Sequence, residues 1–169
     1  MLLFAGHDPG SKNHIQPIYS YASELGHRCI YLDLASDLLL TEENAAQSYI
    51  RNLIPSIFVG GTSLNQGEWA LLRSCKGLGI PTILFVDLSA KSKVDPIPIY
   101  EFPDKFMVTN PGCVKELIEF GAPPDSIILT GSTHLENLAK ADKPNQDVQT
   151  KKYYHINNNS RIIPFFCSP

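Results

Sequence analysis

The 169-residue sequence predicts an α/β fold, a three-layer Rossmann-like domain with a mainly parallel sheet of about six or seven strands. Short apolar runs without polar alternation recur along the chain, as expected for strands that are buried on both faces. Longer segments of helical periodicity lie between these runs, and glycines end two of them. Strand, helix and strand in this order imply right-handed crossovers, which place helices on both faces of a parallel sheet.

The candidate elements follow one another from end to end of the chain. The apolar runs that predict strands span residues 2–6, 29–34, 56–60, 82–87, 105–109, 126–130 and 161–166. The apolar stripes that predict helices are, in chain order, Ile15/Ile18/Ala22/Leu25 before Gly26, Ala70/Leu71/Leu72, and Val114/Leu117/Ile118/Phe120 before Gly121. Residues 1–139 are therefore predicted to form the Rossmann-like domain. Residues 140–160 are predicted to be a polar linker, and residues 161–169 the start of an incomplete second domain or a terminal strand.

Composition excludes several classes of protein. The chain is 43% hydrophobic and 18% charged, which favours a compact globule over a disordered chain. A net charge of −3 and the lack of basic runs with interleaved aromatics argue against nucleic-acid binding. No run of about 18 apolar residues predicts a membrane span. The first residues lack the basic start of a signal peptide, so we expect a cytoplasmic protein.

The four cysteines predict neither a metal site nor a disulfide framework. They are far apart in sequence, without the close spacing of a zinc site, and they are too few for a disulfide scaffold. Reduced, mostly buried thiols are expected at Cys29, Cys75, Cys113 and Cys167.

The loops at the carboxyl ends of the strands are the candidate ligand site, because an open parallel sheet binds its ligands at that edge. In the first of these loops, a glycine-rich turn aims backbone N–H groups and a helix N-terminus at the crevice, which suits an anion. The alternative is a tight turn in which Asn13 caps the helix. The candidate substrate contacts in this loop are Gly6, Asp8, Gly10, Ser11 and Asn13.

The same loop matches neither of two common phosphate-binding motifs. Three residues separate Gly6 from Gly10 and Asn13 follows Lys12, whereas a Walker A loop has four residues between its glycines and then Lys-Ser or Lys-Thr. The three spaced glycines of the dinucleotide fingerprint are also missing. No cofactor or metal is therefore predicted, and a small nucleotide-binding module is supported only by the predicted sheet topology.

His14 and Asp87 are the candidate catalytic residues. His14 lies at the predicted start of the first helix, where a neutral imidazole can accept a proton from a substrate hydroxyl. Asp87 ends the fourth apolar run and can orient His14 or bind a hydroxyl. The alternatives are a loop histidine that hydrogen-bonds the backbone and a carboxylate that caps the following turn.

The stretch Asn-His-Ile-Gln-Pro at residues 13–17, followed by Ala22, Leu25 and Gly26-His27, resembles the opening of many GT-B glycosyltransferases. Those enzymes begin with a Gly-His-x-x-Pro turn, a helix and a Gly-His before strand two. In some of those families the histidine of the turn deprotonates the acceptor. The resemblance implies this role for His14, although Asn13 stands where glycine is usual and the first helix is shorter.

Residues 103–138 are similar to the run before the interdomain linker of UDP-GlcNAc 2-epimerases and related GT-B proteins. Those proteins carry Thr-Gly-Asn-Thr or Thr-Gly-Asn-Pro where this chain has Thr-Gly-Ser-Thr at residues 130–133. The resemblance implies ligand contacts at Gly131, Ser132 and Thr133. The epimerases also have a His-x-Glu-Ala-Gly-Leu-Arg segment after strand four. Residues 87–92 read Asp-Leu-Ser-Ala-Lys-Ser instead, which argues against the epimerase reaction itself.

The function expected from these resemblances is sugar transfer from a nucleotide sugar, with this chain handling the sugar or lipid acceptor. In GT-B enzymes the donor nucleotide binds chiefly to the C-terminal domain, which the chain is expected only to begin. A separate C-terminal half is therefore the expected partner, or else self-association through the interdomain face. The alternative is a non-catalytic or vestigial binding or scaffold protein of the same fold.

Overall fold

A computed structural model of the chain describes residues 1–36, 42–63, 66–90, 94, 97–140 and 151–157. In this part of the chain, six strands form one parallel sheet in the order β2-β1-β3-β4-β5-β6. The strands are β1 (Leu2–Gly6), β2 (Cys29–Asp33), β3 (Ile57–Gly61), β4 (Thr82–Val86), β5 (Lys105–Val108) and β6 (Ile127–Leu129). The predicted parallel sheet is confirmed, and each strand lies within a residue or two of its predicted bounds.

The helices cover both faces of this sheet. Those that the structure describes are α1 (Pro9–Glu24), α2 (Glu43–Leu53), α3 (Gln66–Gly77), α4 (Pro111–Glu119) and α5 (Thr133–Lys140). Alternate strand residues point to opposite faces. Phe4, Val59 and Phe85 pack with Ile15 of α1 on one face. The other face carries the larger core, which includes Trp69 of α3 and residues of α2 and α4. The predicted three-layer α/β architecture is therefore confirmed.

Helix α1 begins earlier than the sequence predicts. Asp8 has extended backbone angles and its carboxylate accepts the N–H of Ser11 at 2.7 Å, so Asp8 is the N-cap. Pro9 follows in the first helical position, where its missing N–H costs nothing. The predicted helix start at His14 was wrong, and so was the alternative in which Asn13 caps the helix. His14 lies in the second turn, and Pro17 lies inside the helix.

Two other elements were not predicted. Helix α2 fills the crossover from β2 to β3 and buries Ala46 and Ile50 against the larger core. Helix α5 begins at Thr133, the last of the three residues at which the resemblance implies ligand contacts. The seventh apolar run at residues 161–166 lies outside the described residues, as does most of the proposed 140–160 linker.

The chain divides into two units, Met1–Glu136 and Asn137–Pro169. The first unit contains the whole sheet. In the second, the rings of Tyr153 and Tyr154 meet edge to face with their centroids 4.9 Å apart. Among the described residues, no helix combines the length and the apolar character needed to cross a membrane.

Candidate functional site

A cleft of about 510 Å³ opens in the first unit at the carboxyl ends of β4 and β5. This volume falls in the range of pockets that hold small molecules. Its walls come from the first two turns of α1, the segments after β4 and β5, and the first turn of α5. The lining residues are Gly10, Asn13, His14, Asp87, Leu88, Thr109, Asn110, Ser132, His134, Leu135 and Glu136.

His14 lines this cleft and is only 7% exposed. Its ring stacks on that of Phe85, with centroids 4.4 Å apart and planes inclined by 16°. The stacking follows from the helical spacing, because His14 and Ile15 both fall on the face of α1 that packs against the sheet. Phe85 is the fourth residue of β4, so the strand holds the imidazole at the carboxyl edge of the sheet.

A second imidazole faces the first. The ring of His134 stands nearly perpendicular to that of His14, at 78°, with the centroids 6.3 Å apart. His134 is the second residue of α5, whose start is held by Ser132, since its hydroxyl accepts the N–H of Leu135 at 3.2 Å. His134 was not among the site residues predicted from the sequence. Ser132, a residue type favoured at helix N-caps, is the signal that could have placed His134 on a helix.

Asp87 is 8% exposed and directly follows β4. Its Oδ1 accepts the N–H of Leu88 at 3.0 Å, and its backbone carbonyl accepts the hydroxyl of Thr109 at 2.9 Å. Its Oδ2 lies against Gly10, where a Cβ atom would come within 2.1 Å of it. The carboxylate can therefore approach the first turn of α1 this closely only because residue 10 lacks a side chain.

The predicted site residues separate into two groups. The structure brings Gly10, Asn13, His14, Asp87 and Ser132 together in the cleft. Gly6, Asp8, Ser11, Gly131 and Thr133 do not line it. Asp8 instead caps α1, so its own carboxylate occupies the helix amide that an anionic ligand was expected to use. The roles of these residues in binding stay predictions.

Glu68 of α3 forms a buried cluster beside the cleft that the sequence did not reveal. Its side chain is fully buried, at 0% exposure. Oε1 accepts the N–H of His7 at 3.1 Å and the hydroxyl of Ser11 at 2.6 Å. Oε2 accepts the N–H of Ser63 at 2.9 Å and also the Ser63 hydroxyl. One carboxyl group thus joins the β1–α1 segment to the segment after β3.

Burial raises the pKa of the Glu68 carboxyl above its ordinary value of 4.5, because desolvation outweighs the hydrogen bonds from Ser11, Ser63 and His7 that favour the anion. The folded protein therefore retains a proton on Glu68 at pH values where the unfolded chain has released it. The stabilisation that this proton brings is complete below pH 4.5 and is lost as the pH rises through the raised pKa.

We expect a Glu68→Gln variant to lack this part of the pH dependence. The difference in free energy of unfolding between wild type and variant is then largest near pH 4.5 and shrinks as the pH rises through the raised pKa, because the other carboxyls titrate alike in both proteins. Urea unfolding of both proteins across this range measures the difference. A difference that grows with pH would show that the anion is the favoured buried form.

Among the described residues, no group of three or more His, Cys, Asp or Glu side chains could hold a metal ion.

The known proteins that this chain resembles were found by similarity of structure. No family model and no curated protein sequence matches it. A Staphylococcus aureus MnaA structure determined with UDP superposes with a TM-score of 0.65 and 11% identity, over 91% of this chain and 51% of MnaA. A Listeria monocytogenes protein assigned as a UDP-N-acetylglucosamine 2-epimerase gives a TM-score of 0.64 and 12% identity, over 89% of this chain and 50% of that one.

The chain therefore spans about half the length of the solved structures that it matches. At 11% and 12% identity the likeness establishes the fold alone. The predicted resemblance to GT-B proteins of the 2-epimerase type is confirmed at that level: this chain has the fold of one half of such a protein.

Proposed function

We propose that the chain is the acceptor-side lobe of a two-lobed enzyme that transfers a sugar from a nucleotide sugar. The observation that carries the proposal is the cleft in which the buried imidazole of His14 faces that of His134, with Asp87 lining the same cleft. The cleft lies at the carboxyl edge of a parallel sheet, which is where such folds bind their ligands. One structural neighbour, Staphylococcus aureus MnaA, was determined with UDP bound, which agrees with nucleotide-sugar chemistry.

In this mechanism His14 is the general base. Its imidazole takes the proton of an acceptor hydroxyl, the freed oxygen attacks the anomeric carbon of the donor sugar, and the bond to the nucleotide diphosphate breaks. The ring centroids of His14 and His134 are too far apart, at 6.3 Å, for a direct hydrogen bond between the two imidazoles. In the proposed mechanism the acceptor hydroxyl lies between the two rings, where His134 holds the oxygen that His14 deprotonates.

Asp87 serves as the orienting group in this proposal. A carboxylate on the wall of a histidine site favours the imidazolium that forms when the base has taken its proton. Stacking on Phe85 fixes the plane of the His14 ring, so the imidazole keeps one orientation while the proton moves. In this proposal, stacking on Phe85 orients the ring, whereas Asp87 stabilises the charge that the ring acquires.

The second lobe is expected over the mouth of the cleft. Leu88 and Leu135 both line the cleft and are 77% and 63% exposed. Apolar side chains that flank a cleft in this way suit a surface that another lobe covers. The donor nucleotide would bind chiefly to that lobe. The rival proposal, a non-catalytic scaffold of the same fold, keeps this surface and lacks the proton transfer.

Reconstitution tests the proposal. The chain is incubated with UDP-N-acetylglucosamine, UDP-glucose and GDP-mannose plus sugar and lipid acceptors, alone and co-expressed with the product of the neighbouring reading frame. We expect nucleotide release that depends on acceptor and is far faster when a second lobe is present. Release in none of these combinations would favour the scaffold.

Calorimetric titration of the isolated chain with UDP separates the third hypothesis, a small nucleotide-binding module, from the other two. Under our proposal, the isolated chain binds UDP weakly because most donor contacts lie on the other lobe. Tight binding by the isolated chain would identify it as a nucleotide-binding module and would contradict an acceptor-side role.

A further inference from the structure

The clearest unexplained feature of the first unit is the fully buried carboxyl of Glu68, which does not line the cleft. Each of its two oxygens accepts two hydrogen bonds. Burying a carboxyl group costs free energy unless its oxygens are paired in this way. The four hydrogen bonds therefore also restrain the groups that donate them, which belong to His7, Ser11 and Ser63.

The donors belong to segments that leave the sheet in opposite directions. Strands β1 and β3 are neighbours, and α1 follows β1 onto one face while α3 follows β3 onto the other. The two helices therefore have the sheet between them over most of their length. Glu68, in the first turn of α3, reaches across the carboxyl edge of the sheet to Ser11 in the first turn of α1.

A steric contact acts on the same turn of α1. A Cβ atom at Gly61, the last residue of β3, would lie 1.7 Å from the Ser11 hydroxyl and 3.0 Å from Ser11 Cα. The backbone of α1 thus rests directly on the end of β3. Ser11 therefore packs against the end of β3 and also donates a hydrogen bond to Glu68.

The turn held in this way carries the cleft residues of α1. Gly10 precedes Ser11 and contacts Asp87, and His14 follows it by three residues, less than one helical turn. We infer that Glu68 is a positioning residue of the cleft, which sets the place of the α1 wall, and with it His14, through the hydrogen bond to Ser11. The inference deepens the proposed function, because it concerns the geometry of the proposed base.

Hydrogen exchange tests the inference without any ligand or turnover. In Glu68→Gln, an amide N–H₂ group replaces one carboxyl oxygen and cannot accept the hydrogen bonds that this oxygen receives, so the attachment of α1 is weakened. We expect the amides of Lys12 and His14 to exchange about 10- to 100-fold faster, the cost expected when a buried hydrogen-bonding group is left unsatisfied. We also expect the imidazole NMR signals of His14 to shift. Unchanged exchange and unchanged signals would overturn the inference.

Asp104→Asn is the matched control. Asp104 accepts the N–H and the hydroxyl of Thr82, each at 2.8 Å, and so ties a loop to β4 at the amino end of the sheet, away from the cleft. This variant is expected to unfold more easily while Lys12 and His14 exchange as in wild type. An equal acceleration in both variants would mean that Glu68 contributes only to global stability.

Ser11→Ala decides the matter if Glu68→Gln does not fold. It removes the single bond from Glu68 to α1 and leaves the contacts with His7 and Ser63 in place. The same acceleration at Lys12 and His14 is expected, and exchange at the wild-type rate would overturn the inference. Because no variant is judged by sugar transfer, a failure of the proposed function and a failure of this inference give different results.

Discussion

Replacement of His14 by Phe is expected to lower the rate of sugar transfer by about 100- to 10,000-fold, the usual contribution of a general base. The substituted ring can still stack on Phe85, as the imidazole does at 4.4 Å, but it cannot take a proton. The fold should therefore survive while the chemistry is lost. The measurement is the turnover number of the reconstituted two-lobed enzyme at saturating donor and acceptor, with circular dichroism as the check on folding.

His27→Ala is the control for this experiment. His27 is exposed and lies before β2, at the opposite end of the sheet from the cleft. Its loss should leave the turnover number unchanged. If His14→Phe also turned over at the wild-type rate, His14 would be a core residue that merely borders the cleft. The base would then have to be sought among the other cleft residues, beginning with His134.

A Gly61→Ala substitution is expected to have the largest effect on stability, with a loss of about 1–3 kcal/mol typical of an overpacked core. The new methyl group would overlap the Ser11 side chain and approach the α1 backbone, at 3.0 Å from Ser11 Cα. Because a helix backbone cannot give way as a flexible side chain does, α1 must shift or β3 must bend. Chemical denaturation of the purified variant measures the loss.

Gly77→Ala provides the comparison for Gly61→Ala. Gly77 ends α3 and has no neighbouring atom within 4 Å of its would-be Cβ. Alanine is favoured over glycine in a helix, so this variant should be as stable as wild type or slightly more stable. Equal stability of both variants would show that the contact between α1 and the end of β3 is loose.

The strands were the part of the fold most open to prediction. A strand such as Thr82–Val86 is apolar on both faces, and such a short apolar run can be recognised in the sequence without knowledge of the elements that pack against it. The start of α1 was missed because Gly6 and Gly10 suggested a longer turn, whereas Asp8 and Pro9 form a local helix start within it. Helix α2 was missed because only Ala46 and Ile50 of its residues are fully buried.

The site was predictable only where the sheet topology controls it. His14 and Asp87 follow β1 and β4, and the rule that ligands bind at the carboxyl edge brought both into one cleft. Glu68 looks in sequence like an ordinary acidic residue in the first turn of a helix. Its burial depends on the nearby Ser63 and on Ser11, which is 57 residues away in sequence, and only tertiary structure brings the Ser11 hydroxyl to it.

The strand order also has a consequence for how the chain assembles as it leaves the ribosome. After β3, each described strand pairs with the strand synthesised just before it. The pairing of β1 with β3 is different, because the loop that closes when these strands pair contains β2 and α2. Closing a longer loop costs more conformational entropy. This pairing joins the two arms of the sheet, so we expect it to govern the folding rate.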